Sequence, residues 1–221
     1  MTPLYHDLSE ETVLVFGGGA VGSRKAIGFA DEACVVVVSP AFADRLLAAD
    51  DAAGHAEIDL VRAEPDPGAV WEWVQRLSPA LVVAATDDPA VNAAAEAAAL
   101  ESGVLVNRTD VSGGRDAGSV VVPATIEDDP VSVAISTGGA SPALSKALRQ
   151  RIEAEIDGAG AMAELSGELR GDLIDRGIDP ETRREAIRHV VRSEGVWKGL
   201  QKGRSNGRQE AYTVIEEVID R

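Results

Sequence analysis

The chain has 221 residues, 45% hydrophobic and 26% charged, enough for a packed core and inconsistent with wholesale disorder. Its single cysteine, Cys34, excludes an internal disulfide framework and a cysteine-rich zinc site, and no apolar run nears the ~20 residues of a membrane span. Twenty-one Lys+Arg against 37 Asp+Glu give a formal net charge of −16, which argues against nucleic acid and anionic membrane as partners.

The elements alternate. Val13–Phe16 is a short apolar run that meets Gly17-Gly18-Gly19, the pattern of a buried parallel strand. A helix is expected over 20–30, a second strand over Val35–Val38 and a helix over 41–53. A third strand over Ile58–Ala63, a helix over 67–77 and a fourth strand over Ala80–Ala85 follow. Asp88–Ser102 is Ala-rich and helical, and Val104–Val106 reads as a fifth strand. This rhythm predicts an α/β fold, a Rossmann-like parallel sheet covered on both faces. After Asp110 the rhythm changes. Ser112-Gly113-Gly114 marks a loop; Ser119–Ile126 and Val131–Ser136 read as a hairpin around Glu-Asp-Asp-Pro at 127–130. A second glycine loop spans Thr137–Pro142. The remainder is helical, with breaks near 158–160, 177–180 and 203–207. The expected parts are an α/β nucleotide domain at 1–112, a small β connector at 113–150 and a helical C-terminal domain at 151–221.

The sharpest local signal is G-x-G-x-x-G at Gly17, Gly19 and Gly22, after a strand and before a helix. The first glycine permits a tight turn, the second lets a pyrophosphate approach the backbone, and the third lets helix and sheet pack closely. The helix start at Ala20 and Val21 then offers free N–H groups to the phosphates. The acidic residue that commonly binds the NAD ribose about 20 positions on is missing. Ser39 and the backbone of Ala41 and Phe42 are the candidates for adenosine contacts, with Arg45 a turn later. That stretch leaves NAD and NADP open. Thr86, at the end of the fourth strand, is a further cofactor-side candidate, and Asp88 an N-cap. The three histidines, His6, His55 and His189, have no ligand spacing, so no metal site is expected.

Several blocks together resemble one family. Val13–Ala26, Ala84–Asp88 with Val91-Asn92, Val106–Asp110 and Val133–Leu144 are similar to the siroheme synthase N-terminal module, in its order and spacing across residues 3–151. The resemblance implies NAD as cofactor and dehydrogenation of precorrin-2 to sirohydrochlorin, with sirohydrochlorin ferrochelation in some members. It implies a homodimer built partly from the middle strands. It also makes Asp110 the essential acid/base residue and puts Thr137 where bifunctional members carry a Ser in the active-site region. At Gly22 the family often has Ala.

The residues fit such chemistry. Asp110 follows the fifth strand, at the edge where a cofactor would lie, and a carboxylate there can accept a proton. Asn107, Ser136, Thr137, Gly138 and Gly139 are candidate substrate contacts, the latter four offering hydroxyls and backbone donors to a polycarboxylate. Residues 170–208 hold ten basic and six acidic residues, a local excess of positive charge in an acidic chain. Arg183, Arg184, Arg188 and Arg192 form either a substrate-facing patch or a solvated helix face. A second reading is a regulatory module that senses NAD without turnover; a third is an oxidoreductase on a small polar substrate. The N-terminus lacks a basic region and an apolar signal core, so the expected location is cytoplasmic.

Overall fold

The computed structural model describes residues 2–50, 58–111 and 118–220. Residues 51–53, the expected end of the 41–53 helix, together with His55 and the Ser112-Gly113-Gly114 loop, lie outside them. The chain forms two compact units, Met1–Val122 and Pro123–Arg221.

The first unit runs β1 (Thr12–Gly18), α1 (Ala20–Phe29), β2 (Cys34–Phe42), α2 (Asp44–Asp50), β3 (Ile58–Arg62), α3 (Pro67–Leu77), β4 (Leu81–Ala84), α4 (Pro89–Glu101) and β5 (Leu105–Arg108). The strands are all parallel, in the order β3-β2-β1-β4-β5. Unbroken apolar runs suit the central strands because both faces are covered. Val13 and Val15 pack with Ala26, Ala30 and Leu46 on one side; Leu14 and Phe16 pack with Val70, Val74 and Ala95 on the other. Fully burying such a side chain stabilises by about 1.5–3 kcal/mol. Two helices start the same way. Asp66 and Asp88 cap α3 and α4, accepting hydrogen bonds from Gly68, Ala69 and Ala90, and a proline occupies the first helical position of each. Each cap contributes about 1 kcal/mol.

Two boundaries differ from expectation. β2 does not stop at Val38. An irregularity in β1 between Phe16 and Gly18 brings Gly18 into register with Phe42, so β2 continues to Phe42 and the next helix begins at Asp44 rather than residue 41. The strand expected from Ser119 begins instead at Ala124. Ser119 forms an isolated parallel bridge with Val106, extending the edge of the first sheet.

The second unit opens with an antiparallel hairpin, β6 (Ala124–Asp128) and β7 (Val131–Ile135). Then come α5 (Pro142–Glu155), α6 (Ala159–Asp175), α7 (Pro180–Arg192), α8 (Glu194–Gln201) and α9 (Arg204–Ile219). Met162, Leu165, Leu169 and Leu173 of α6, at spacings of three and four, meet Ala186, Val190, Val196, Ala211 and Ile215 to make its core. The three expected breaks fall at helix junctions. A fourth, at Ser193, was not expected: this residue ends α7 and its hydroxyl accepts a hydrogen bond from the Val196 amide to start α8. Asp128 accepts a hydrogen bond from the Gly160 amide at 2.9 Å, tying the hairpin to α6; a side chain at 160 would collide with the Asp128 carbonyl oxygen, 2.5 Å from an added Cβ. Among the described residues no helix is long and apolar enough to cross a membrane.

Candidate functional site

β1 and β4 are neighbours, yet their crossovers leave in opposite directions, β1 toward β2 and β4 toward β5. A crevice opens where such connections part, at the C-terminal ends of the strands. Gly17 to Gly19 and Ala85 to Asp87 lie there. Gly17 has φ of +106°, and an added Cβ would stand 2.7 Å from the Ala85 carbonyl carbon. At Gly22 an added Cβ would stand 2.8 Å from the Gly17 carbonyl carbon and closer still to its oxygen. Gly19 is different: nothing lies within 4 Å of an added Cβ. The turn is therefore tight on its inner side and open at Gly19. Gly18, which the motif leaves as a free position, is also confined, with Phe42 Cδ1 2.7 Å from an added Cβ. The Ser23 hydroxyl donates to the Gly18 carbonyl at 2.9 Å and locks the turn. No side chain caps α1 at Gly19, Ala20 and Val21 are exposed, and the first turn carries no acid. Free N–H groups over an open backbone position fit a dinucleotide pyrophosphate.

The rim residues are held by one another. Ser39 is buried, and its hydroxyl donates to the Ala41 carbonyl at 2.8 Å. Ala41 is exposed and Phe42 half-buried. Sequence reasoning found no cation at this edge, but Arg62, at the end of β3, donates to the Pro40 carbonyl at 2.9 Å and stacks 5.3 Å from the Phe42 ring centre. It comes from 22 residues away, so only the β2–β3 pairing brings it in. Across the crevice, the Thr86 hydroxyl is bonded to Asn92 Oδ1 at 2.8 Å and to the Asp88 carbonyl at 3.0 Å. Asn92 is fully buried; its Oδ1 also accepts from the Thr86 amide, and its Nδ2 donates to the Thr86 carbonyl. Ser39 and Thr86 thus shape the crevice walls with their hydroxyls engaged.

Arg108 and Asp110, two residues apart at the end of β5, form a two-pronged ion pair of 3.0 and 2.7 Å. Arg108 also binds Glu96 of α4 at 2.9 Å. The hydrogen bonds from Arg108, aided by Asn92, hold the Asp110 carboxyl below the usual carboxylate range against the opposing effect of partial burial. The same contacts, with Asp110 first and Glu96 second, raise Arg108 above its ordinary value. At neutral pH Asp110 is an ionised but weakly basic acceptor. Asn107 is buried. Its Nδ2 donates to the Val120 carbonyl at 2.7 Å, pinning residues 118–120 to β5, while its Oδ1 is buried with no partner among the described residues. A buried acceptor left so costs about 1–3 kcal/mol and calls for a donor.

In the second unit, the loop before α5 is closed by its own hydroxyls. Thr137 Oγ1 accepts from the Ser141 amide at 3.2 Å and lies 3.1 Å from Ser145 Oγ. Ser136 Oγ accepts from the Gly138 amide, and Ser141 caps α5. Gly138 and Gly139 both have positive φ, +62° and +83°, and lie exposed. The Thr137 hydroxyl is spent inside the loop, leaving the backbone at Gly138 and Gly139 as its open surface.

A parallel five-stranded sheet with a glycine turn at its switch point defines an NAD(P)-binding α/β domain. The family model described as "Putative NAD(P)-binding" matches residues 4–124, and that described as "Sirohaem biosynthesis protein central" matches residues 128–155. The chain belongs to the siroheme synthase N-terminal module family. It is 37% identical to the siroheme synthase of Pseudomonas putida over 164 residues, 74% of this chain and 33% of that one. It is 36% identical to the precorrin-2 dehydrogenase of Methanosarcina barkeri over 152 residues, 68% of this chain and 64% of that one. It thus spans about a third of the siroheme synthases it matches. The solved structure of SirC, precorrin-2 dehydrogenase, has the same fold, with a TM-score of 0.70 at 24% identity over 98% of this chain and 100% of that one.

Proposed function

We propose that the chain is an NAD-dependent precorrin-2 dehydrogenase, forming sirohydrochlorin. The observation that carries this reading is the glycine turn: confined at Gly17, Gly18 and Gly22, open at Gly19, and set at the switch point of a sheet whose family is NAD(P)-binding. NAD, when bound, accepts the hydride. The chain's own residues do the rest. The Gly17–Gly22 turn and the first turn of α1 hold the phosphates through backbone N–H groups. Ser39, Ala41, Phe42 and Thr86 shape the walls for adenosine and ribose. Asp110 accepts the proton that leaves the reduced macrocycle. Its carboxylate is a weak base while Arg108 grips it, so a substrate carboxylate drawing Arg108 away would strengthen it as a base. Asn107 Oδ1 accepts a hydrogen bond from an N–H of the substrate. Gly138 and Gly139, with Ser136 and Thr137 setting the loop, receive a substrate carboxylate.

We also propose a homodimer formed through residues 113–150 and α5. No residue of α5 is buried, although Leu144, Leu148 and Ile152 recur every fourth position, and Leu144 is 50% exposed. A two-stranded sheet is marginal alone, which favours a partner over this hairpin and helix. The exposed thiol of Cys34 fits a reducing compartment, in line with a cytoplasmic location.

The test is anaerobic precorrin-2 with NAD, followed by the absorbance of sirohydrochlorin. Turnover by wild type, with loss in Asp110→Ala at unchanged NAD affinity, is the expected result. NAD binding without turnover would replace this reading with a sensor. Adding Fe²⁺ after complete oxidation tests ferrochelation separately.

A further inference from the structure

In the second unit, α6 and α7 line a cavity of about 520 Å³. Arg183, Arg184, Arg188 and Arg192 of α7 line it, and Arg170 of α6 joins them. Pro180, Ile187 and Val191 supply its apolar part. On a helix turning 100° per residue these three form one stripe along α7. Arg184, Arg188 and Arg192 rise on one side of it and Arg183 on the other. Val191, at the C-terminal end of the stripe, stays 40% exposed. The volume falls within the range of small-molecule sites, and the lining is five arginines around three apolar residues, open on one side to solvent.

The charges make the case sharper. None of the five arginines is in an ion pair among the described residues, in a chain with 37 acidic residues. Their neighbours in the same unit are paired: Arg176 with Glu216, Arg204 with Glu164 and Glu168, Arg208 with Glu168 and Asp172. Five like charges gathered in one concavity repel one another and attract a polyanion. All five are arginines, whose planar forks grip carboxylates two hydrogen bonds at a time.

We propose that this cavity binds a flat polycarboxylate, the apolar face of the ligand on Pro180, Ile187 and Val191 and its carboxylate arms on the arginines. Naming that ligand a polycarboxylated tetrapyrrole rests on the function proposed above, whose substrate and product are such molecules. Arg184 to Arg192 covers about 12 Å at 1.5 Å per residue, long enough to engage arms on more than one edge of a macrocycle. A guanidinium offers hydrogen-bond donors and no acceptor, so the cavity holds the ligand without acting on it.

The experiment is fluorescence anisotropy of uroporphyrin, an octacarboxylate that needs no NAD and undergoes no turnover, titrated with the full chain at low and high salt. Wild type is expected to bind, more weakly as salt rises. The triple variant Arg184→Gln/Arg188→Gln/Arg192→Gln should bind at least tenfold more weakly. Val191→Glu, an exposed site that leaves every arginine in place, should also lose affinity, whereas Lys198→Gln/Lys202→Gln, outside the cavity, should not. Equal uroporphyrin affinity in wild type and triple variant overturns the proposal. So does stronger competition from an acidic peptide than from unlabelled uroporphyrin, which would assign the surface to a protein. Cavity-dependent uroporphyrin binding by a chain that never oxidises precorrin-2 would remove the dehydrogenase reading alone.

Discussion

The glycine turn separates two roles that the motif merges, and paired substitutions expose the difference. Gly22→Ala adds a methyl whose carbon would lie 2.8 Å from the Gly17 carbonyl carbon, with the oxygen nearer still. Ordinary contact begins near 3.4 Å, so β1 and α1 must part or the Gly17 peptide must turn. Overpacking of this kind costs about 1–3 kcal/mol, or roughly 3–10 °C in Tm for a chain of this size. Gly19→Ala meets nothing within 4 Å, and the residue has an ordinary φ of −73°, so stability should change by less than about 1 kcal/mol. The added methyl would, however, occupy the space over which a pyrophosphate approaches. Losing one charge-assisted hydrogen bond weakens binding by about 1.5–3 kcal/mol, roughly 10- to 150-fold in Kd. Thermal unfolding without nucleotide and calorimetric titration with NAD read the two effects apart. If Gly19→Ala unfolds as early as Gly22→Ala, or if Gly22→Ala keeps both Tm and affinity, the assignment of inner and open glycines is wrong.

Other outcomes follow from the same network. Because Asp110 is held below the usual carboxylate range, it should add no inflection to kcat/KM between pH 5 and 8; Arg108→Met should move the acid limb upward. The sign for stability is that of a depressed folded-state pKa: the ion pair stabilises above about pH 4 and its contribution fades as pH falls further, so the Tm gap between wild type and Arg108→Met should close in acid. Asn92→Leu keeps the volume but strands the Thr86 amide and carbonyl, while the Thr86 hydroxyl keeps its bond to Asp88; about 1–3 kcal/mol of stability and much of the NAD affinity should go, measured by chemical unfolding and titration. Arg62→Ala should leave NAD affinity within about threefold while lowering NADP affinity at least about tenfold, as expected of a guanidinium beside the adenosine wall; parallel titrations check it. Leu144→Glu should turn a dimer into a monomer by light scattering, since it sets a charge on an apolar interface.

Much of this was legible in the chain. Val13–Phe16 and Ala80–Ala85 read as buried parallel strands because both faces of each are apolar, and Asp88 read as the N-cap that it is. The end of β2 was not legible, because it depends on an irregularity in the neighbouring strand. The break at Ser193 carries neither glycine nor proline; serine three residues before an amide that needs an acceptor was its only mark. At the site, the resemblance and the place after β5 pointed to Asp110, but its strength as a base is set by Arg108, the last residue of β5, whose guanidinium reaches back to it across the bend at 109–110. Residue type makes Ser39, Thr86 and Thr137 candidate contacts but does not say how their hydroxyls are used. Each satisfies nearby backbone or side-chain groups, a choice that only the folded neighbours decide.

α4 carries a consequence of its own. Asn92 and Glu96 sit one turn apart on it, the first fastening the Thr86 turn and the second steadying Arg108 and through it Asp110. A single rigid rod, set close against the sheet by Ala95, Ala98 and Ala99, thereby braces both the wall of the crevice and the proton acceptor. Any displacement of that rod is shared by both, so the grip on the nucleotide and the alignment of the acid are mechanically yoked rather than independently adjustable.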